Sequence, residues 1–350
     1  ICTGSKGDAT MKKVLTFGEI MMRLNPEGYL KLKQANNLCI SFAGGEANVA
    51  VSIANFGMSA EFITKVPDNT LGEMAIAELR KQNVDTANVV KGGQRLGLYF
   101  VEKGASQRPS KVIYDRAGSA IAMAQTEEFN WDIILEGCTW FHFTGITPAL
   151  SDSCAKICEE ALKACKKKGI VVSCDLNYRK KLWSEEKASN VMKDLMQYVD
   201  ICIANESDAA DVFAIKAEKT DVESGELDKN GYISVAKQLT ERFGFSKVAI
   251  TLRKSISASE NDWSGMLYEN DKAYFSREYH IKLVDRVGGG DSFAGALIYA
   301  LHSGFIPQKA IDFAAAASCL KQTIEYDFNI SSLEDVTTLM NGNGSGRVQR

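Results

Sequence analysis

The sequence holds no surplus of positive charge. Its 41 Lys and Arg residues are outnumbered by 44 Asp and Glu, for a net charge of −3. That argues against a nucleic-acid partner, which usually meets a basic patch or stripe. The one dense basic run, Lys166-Lys167-Lys168, stands before Gly169, where it is expected to end a helix and offset its dipole. No apolar run approaches the roughly 20 residues that cross a bilayer, so no membrane partner is expected. Residues 1–10 lack the apolar segment of a signal peptide. They precede Met11 and read as a leader or tag remnant.

Cysteine numbers nine, but no Cys-x-x-Cys occurs. The reading is reduced thiols in a cytoplasmic protein, not a disulfide framework or a metal site. Cys154 and Cys158 are four apart on a predicted helix yet lack a second ligand pair of matching spacing. The three histidines, His142, His280 and His302, stand alone, and His142 reads as a strand residue. Also missing are a P-loop, a protein-kinase signature set and a dinucleotide-binding glycine turn. Gly18 is followed by Glu19-Ile20-Met21, which sets aside an NAD-dependent dehydrogenase.

What is present is alternation. Short, β-branched runs recur at 14–17, 60–66, 139–144, 170–174, 201–204 and 247–252, and helical patterns fall at 71–82, 152–168, 185–198, 206–215 and 231–243. Strands and helices alternating at these lengths imply an α/β fold with a mostly parallel sheet covered on both faces. Residues 19–42 and 96–115 break the rhythm with alternating segments and no helices between them. They read as a small sheet projecting from the main body. A further strand pair is expected over 263–279, turning at Glu269-Asn270-Asp271. No repeat or interdomain linker is visible, so residues 11–340 are expected to form one domain and 341–350 a flexible tail.

Two glycine sites carry the chemistry. Asp285-Arg286-Val287-Gly288-Gly289-Gly290-Asp291 opens a late helix, and Gly44-Gly45-Glu46-Ala47-Asn48 opens an early one that is expected to stop near Gly57. Unobstructed amides at a helix N-terminus suit a phosphoryl group. An aspartate there would repel phosphate, which suggests that Asp291 accepts a proton from an attacking hydroxyl.

Together these residues resemble the signatures of the ribokinase-like (PfkB) carbohydrate kinases, from about Lys12 to about Leu339. Arg286 and Gly289 stand where many members have Thr and Ala. The resemblance implies a ribokinase-like fold with the small sheet as a lid over the sugar and as a dimer contact. It also implies ATP and Mg²⁺ as cofactors, Gly288, Gly289 and Gly290 as an anion hole, and Asp291 as general base. Gly44, Gly45 and Asn48 would border the sugar. Asn205, Thr251 and Arg253 would border the nucleotide, with Gly288 and Gly290. Glu206 and Asp208 would form an acidic locus that holds the metal indirectly, through water.

For the substrate, Arg179 follows a predicted buried strand, while Tyr99, Tyr114 and Arg116 lie on the projecting strands. Two arginines exceed what a neutral sugar needs, and a guanidinium grips a carboxylate in a two-pronged fork. With Asp327 for a sugar hydroxyl, this set is similar to the 2-keto-3-deoxygluconate kinase branch, whose members phosphorylate a terminal hydroxyl of a keto-sugar acid. Fructokinases share most of the scaffold and are the alternative. A non-catalytic sugar-sensing module is a further rival, against which Asp291 speaks.

Overall fold

Residues 12–205, 207–216 and 229–342 are described by the structure, a computed structural model. Positions 1–10, 343–350 and Glu206 therefore lie outside the described residues.

Short apolar strands buried on both faces are what the interior of a parallel sheet demands. Ile201–Ala204 shows this, with all four side chains buried. Six strands, Ser59–Ile63, Lys13–Phe17, Cys138–Thr144, Val171–Asp175, Ile201–Ala204 and Lys247–Ser255, lie side by side in that order, every pair parallel. Glu260–Glu269 joins the last of them antiparallel, and Lys272–Phe275 and Tyr279–Lys282 both pair with it. The turn of that hairpin falls on Asn270 and Asp271, at φ 50° and 57°, the backbone of a two-residue type I′ turn.

Apolar cores lie on the two sides of this sheet. One gathers the helices Gly45–Asn55, Gly289–His302 and Pro307–Lys321; the other gathers Asp152–Lys168, Glu185–Met196 and Lys229–Phe243. Adjacent residues of one strand divide between them, Val14 to the first and Leu15 to the second. Asp152–Lys168 ends as expected, with three lysines in its last turn and Gly169 in the left-handed conformation at φ 68°. His142 is a strand residue, fully buried against Ser173 Oγ at 2.9 Å, and burial pushes its pKa down to about 3.

The second sheet is built from Cys39–Ala43, Met21–Asn25, Gly97–Glu102 and Lys111–Asp115, in that order, within the segments expected to project. Strand alternation gives it two distinct faces. Tyr99 sits in register with Arg23 and Tyr114, and Tyr99 and Arg23 are buried. One residue along, Ile40, Leu24, Phe100 and Ile113 form a row across the other face. There Ile40 and Ile113 are each 53% exposed.

Candidate active site

Ligands of open α/β sheets bind where strands end at their carboxyl edges. Asp175, Ala204, Asn205, Thr251 and Arg253 stand at those edges here. Facing them are Met21, Ala43, Tyr99 and Tyr114 of the small sheet, and together they enclose a cavity of about 310 Å³. The two glycine motifs complete its wall, bringing Gly44, Gly45 and Asn48 together with Gly288, Gly289, Gly290 and Asp291.

The early helix needs Gly44 for a close approach: a Cβ there would sit 1.8 Å from the Glu19 carbonyl oxygen. Glu46, at the second position of that helix, anchors it. Its carboxylate accepts from the Thr144 amide at 3.1 Å, Thr144 Oγ1 at 2.7 Å and Thr147 Oγ1 at 2.6 Å. Burial nevertheless pushes Glu46 up to about 6. Asn48, two residues on, donates from Nδ2 to Asp291 Oδ2 at 2.6 Å and so joins the two motifs.

The late motif turns at Gly288, the one glycine of the three with positive φ, at 82°. A Cβ at Gly288 would lie 2.1 Å from the Asp327 carbonyl oxygen. The helix Gly289–His302 starts immediately after. Among the described residues, the amides of Gly290 and Asp291 find no backbone acceptor, whereas Ser292 N–H bonds the Gly288 carbonyl at 2.9 Å. A Cβ at Gly290 would meet nothing within 4 Å, so there is open space beside this turn. Free amides and the positive end of a helix form an anion hole. Asp291 stands beside it, and burial pushes its carboxyl up to about 6 against the opposing bond from Asn48. That places a carboxylate base near working pH.

Arg23, which sequence reasoning missed, is fully buried in the small sheet beside Tyr99. Its guanidinium bonds Asp327 and Asp285, each at 2.6 Å. These two carboxylates hold its pKa above the ordinary arginine value despite the opposing effect of burial. Asp285 also caps the turn, accepting from the Val287 amide at 3.1 Å. The Tyr99 hydroxyl is buried without a hydrogen-bond partner among the described residues. Burial and the charge of Asp327 push its pKa well up. Its ring stacks on Tyr114 at 6.0 Å between centroids.

The two arginines expected to read a carboxylate part company. Arg116 lines the cavity, but both its Nε, at 2.7 Å, and its Nη2 donate to Glu19. Glu19 in turn accepts from Ser119 Oγ at 2.6 Å. Arg116 thus arrives with its charge neutralised, a partner that the sequence offered only as the acidic residue after Gly18. Arg179 lines the same cavity and is exposed; its side chain makes no ion pair or hydrogen bond among the described residues, though its charge acts on Asp175 and Asp291.

The two residues of the expected acidic locus stand differently. Asp208 is buried outside the cavity lining, and its oxygens accept from the amides of Asn205, at 2.9 Å, and Tyr178, at 3.2 Å. Glu206 lies outside the described residues. Asp175, the last residue of its strand, does line the cavity, as do Glu19, Glu46, Asp291 and Asp327. Burial first, then the charges of Asp208 and Asp291, hold Asp175 well above the ordinary carboxylate range. Among the described residues no cluster of His, Cys, Asp and Glu is arranged to hold a metal ion.

Residues 11–326 match the pfkB family of carbohydrate kinases. The chain belongs to that family. Among solved structures, 2-dehydro-3-deoxygluconokinase of Thermotoga maritima is 50% identical and superposes with a TM-score of 0.91, over 95% of this chain and 98% of that one. A curated relative, 2-dehydro-3-deoxygalactonokinase of Haloferax volcanii, is 32% identical over 95% of this chain and 98% of its own. Probable fructokinase-2 of Arabidopsis thaliana is 28% identical over 85% of this chain and 83% of its own. This kinase is an ATP-dependent phosphotransferase acting on a sugar hydroxyl, on the ribokinase-like fold.

Proposed function

We propose that this kinase phosphorylates the terminal hydroxyl of 2-keto-3-deoxygluconate, giving the 6-phosphate. One observation carries the reading. Asp291, the free amides of the glycine motif and the unpartnered Arg179 all face a single cavity. The half-identical Thermotoga relative bears the name of that activity. Arg179 would grip the sugar carboxylate, with Asp327 and Asn48 at the hydroxyls and Tyr99 and Tyr114 along the chain. Asp291 would take the proton of the attacking hydroxyl. As the new oxygen–phosphorus bond forms, the bond from the γ-phosphorus to the bridging oxygen breaks and ADP leaves. The amides of Gly288, Gly290 and Asp291 would meet the charge that develops on the transferring group, while the Gly289 amide is held by the Arg286 carbonyl at 3.3 Å.

Asn205, Thr251 and Arg253 would border the nucleotide. Mg²⁺, bound mainly through phosphate oxygens and water, would neutralise charge on the phosphates. The residues fit such an ion, because Asp175 lines the cavity and a nearby cation would offset the burial, and then the repulsion from Asp208 and Asp291, that hold its carboxyl up. Asp175 and Asn205 are its candidate neighbours, through water.

The ion pair of Arg116 with Glu19 favours a second reading. One of the two cations is already satisfied, as a neutral ketose such as fructose would require. An ADP-release assay decides between them, with 2-keto-3-deoxygluconate, its galactonate epimer, fructose and ribose as acceptors. Preference for fructose or ribose would reject the sugar-acid reading.

We also propose that the chain is a single domain working in the cytoplasm. Its eight described cysteines are all free thiols, and no helix among the described residues is long and apolar enough to cross a membrane. The apolar row at Ile40 and Ile113 supports a dimer formed through the small sheet.

A further inference from the structure

We infer that the ammonium of Lys321 is a built-in cation that sets the shape of the anion hole. The inference rests on reading the glycine loop as that hole.

Lys321 ends the helix Pro307–Lys321 and is fully buried, though it does not line the cavity. Buried lysines ordinarily extend their charge to water. This one does not. Its Nζ donates to the backbone carbonyl of Asp285 at 3.0 Å and to that of Val287. Both carbonyls belong to the turn that delivers Gly288. A trans peptide is planar, with its C=O and N–H pointing in opposite directions. Holding the Val287 carbonyl on the ammonium therefore sends the Gly288 N–H the other way, and Gly288 lines the cavity.

The charge is balanced locally. The carboxylates of Asp285 and Asp327 oppose the lowering of the Lys321 pKa that burial causes, while Arg23 adds to it. Arg23 in turn ties the same two carboxylates together. Two cations and two carboxylates thus brace the turn from behind, and Lys321 alone among them binds its carbonyls. Lys321 is a positioning residue: it acts through the loop and not on substrate.

An ammonium coordinated by carbonyls can be replaced by a dissolved ion of similar size, and this gives the test a readout that a purely structural role would not move. In Lys321→Ala, kcat should fall about 10–100-fold, as expected when catalytic groups shift by an ångström or less, with a smaller change in the KM for ATP. Ammonium or potassium chloride should restore part of that kcat, and lithium chloride should not. The wild-type enzyme, assayed with magnesium acetate in tetramethylammonium buffer, should gain nothing when potassium or ammonium is added. Activation of the wild type by several-fold would overturn the inference. So would a folded Lys321→Ala enzyme with undiminished kcat, or one whose deficit neither cation relieves. If the variant does not fold, the wild-type salt series decides alone. Failure of the anion-hole reading would show separately, as full turnover in Gly290→Val.

Discussion

Asn48 Nδ2 lies 2.6 Å from Asp291 Oδ2, a hydrogen bond that joins residues 243 positions apart. It holds the proposed base against the mouth of the anion hole while burial raises its pKa to about 6. Asp291→Asn keeps the size of the side chain and removes the proton acceptor. We expect turnover to drop by about 10²–10⁴-fold with unchanged folding. Near-native turnover would return Asp291 to the role of a helix residue.

The same raised pKa predicts a pH profile. The ionised carboxylate is the active form, so kcat/KM should rise with pH and level off above about 6. At one unit below its pKa only about a tenth of a carboxyl is ionised. A rate profile from pH 4.5 to 8 checks this, and residual activity of Asp291→Asn should lack that limb. A wild-type limb near the free aspartate value would contradict the environment described for Asp291.

Gly290 and Gly288 should fail differently. A side chain at Gly290 would project into open space, so Gly290→Val should leave the melting temperature close to the wild type. Its kcat should fall more than its affinity for ATP, because the developing charge is met in the transition state. Gly288→Ala should instead destabilise the fold, since φ is 82° and the new Cβ would collide with the Asp327 carbonyl. Thermal melts and steady-state kinetics on both variants separate the effects.

Arg23 bears on stability. Replacing it with Met would leave Asp285 and Asp327 buried without their guanidinium partner. Loss of one member of a buried ion pair costs about 3–5 kcal/mol. Chemical denaturation of Arg23→Met should show a loss of that order, and a loss below about 1 kcal/mol would mean that the pairs contribute little.

Much of the fold could be read from periodicity, because its central strands are mostly apolar and several helices open on side-chain caps, as at Asn69, Ser151 and Ser184. The helix expected at 152–168 is observed as Asp152–Lys168, and the strand at 201–204 as Ile201–Ala204. Leu333–Met340 escaped notice, although Ser332 and Asp335 form a capping box at its start; only one of its residues is buried, so its apolar stripe is faint. The motif residues of the site could likewise be read, since glycines at helix starts are a local signal. Pairings over long separations could not. Arg23 meets Asp327 and Arg116 meets Glu19 only because the small sheet folds over the strand ends. Nothing in a stretch of ten residues marks Arg23 or Lys321 as buried.

The most direct test of the central claim compares two acceptors in one variant. Arg179 is the cavity-lining arginine left without a partner among the described residues, whereas Arg116 is held by Glu19. A charged hydrogen bond is worth about 1.5–3 kcal/mol, so Arg179→Ala should lose about 10–150-fold in kcat/KM on 2-keto-3-deoxygluconate. Arg179→Lys should recover only part of that, because an ammonium cannot make the forked contact. Turnover of fructose by the same folded protein should change far less. Equal losses on the two acceptors would contradict the sugar-acid account and move a neutral sugar into its place.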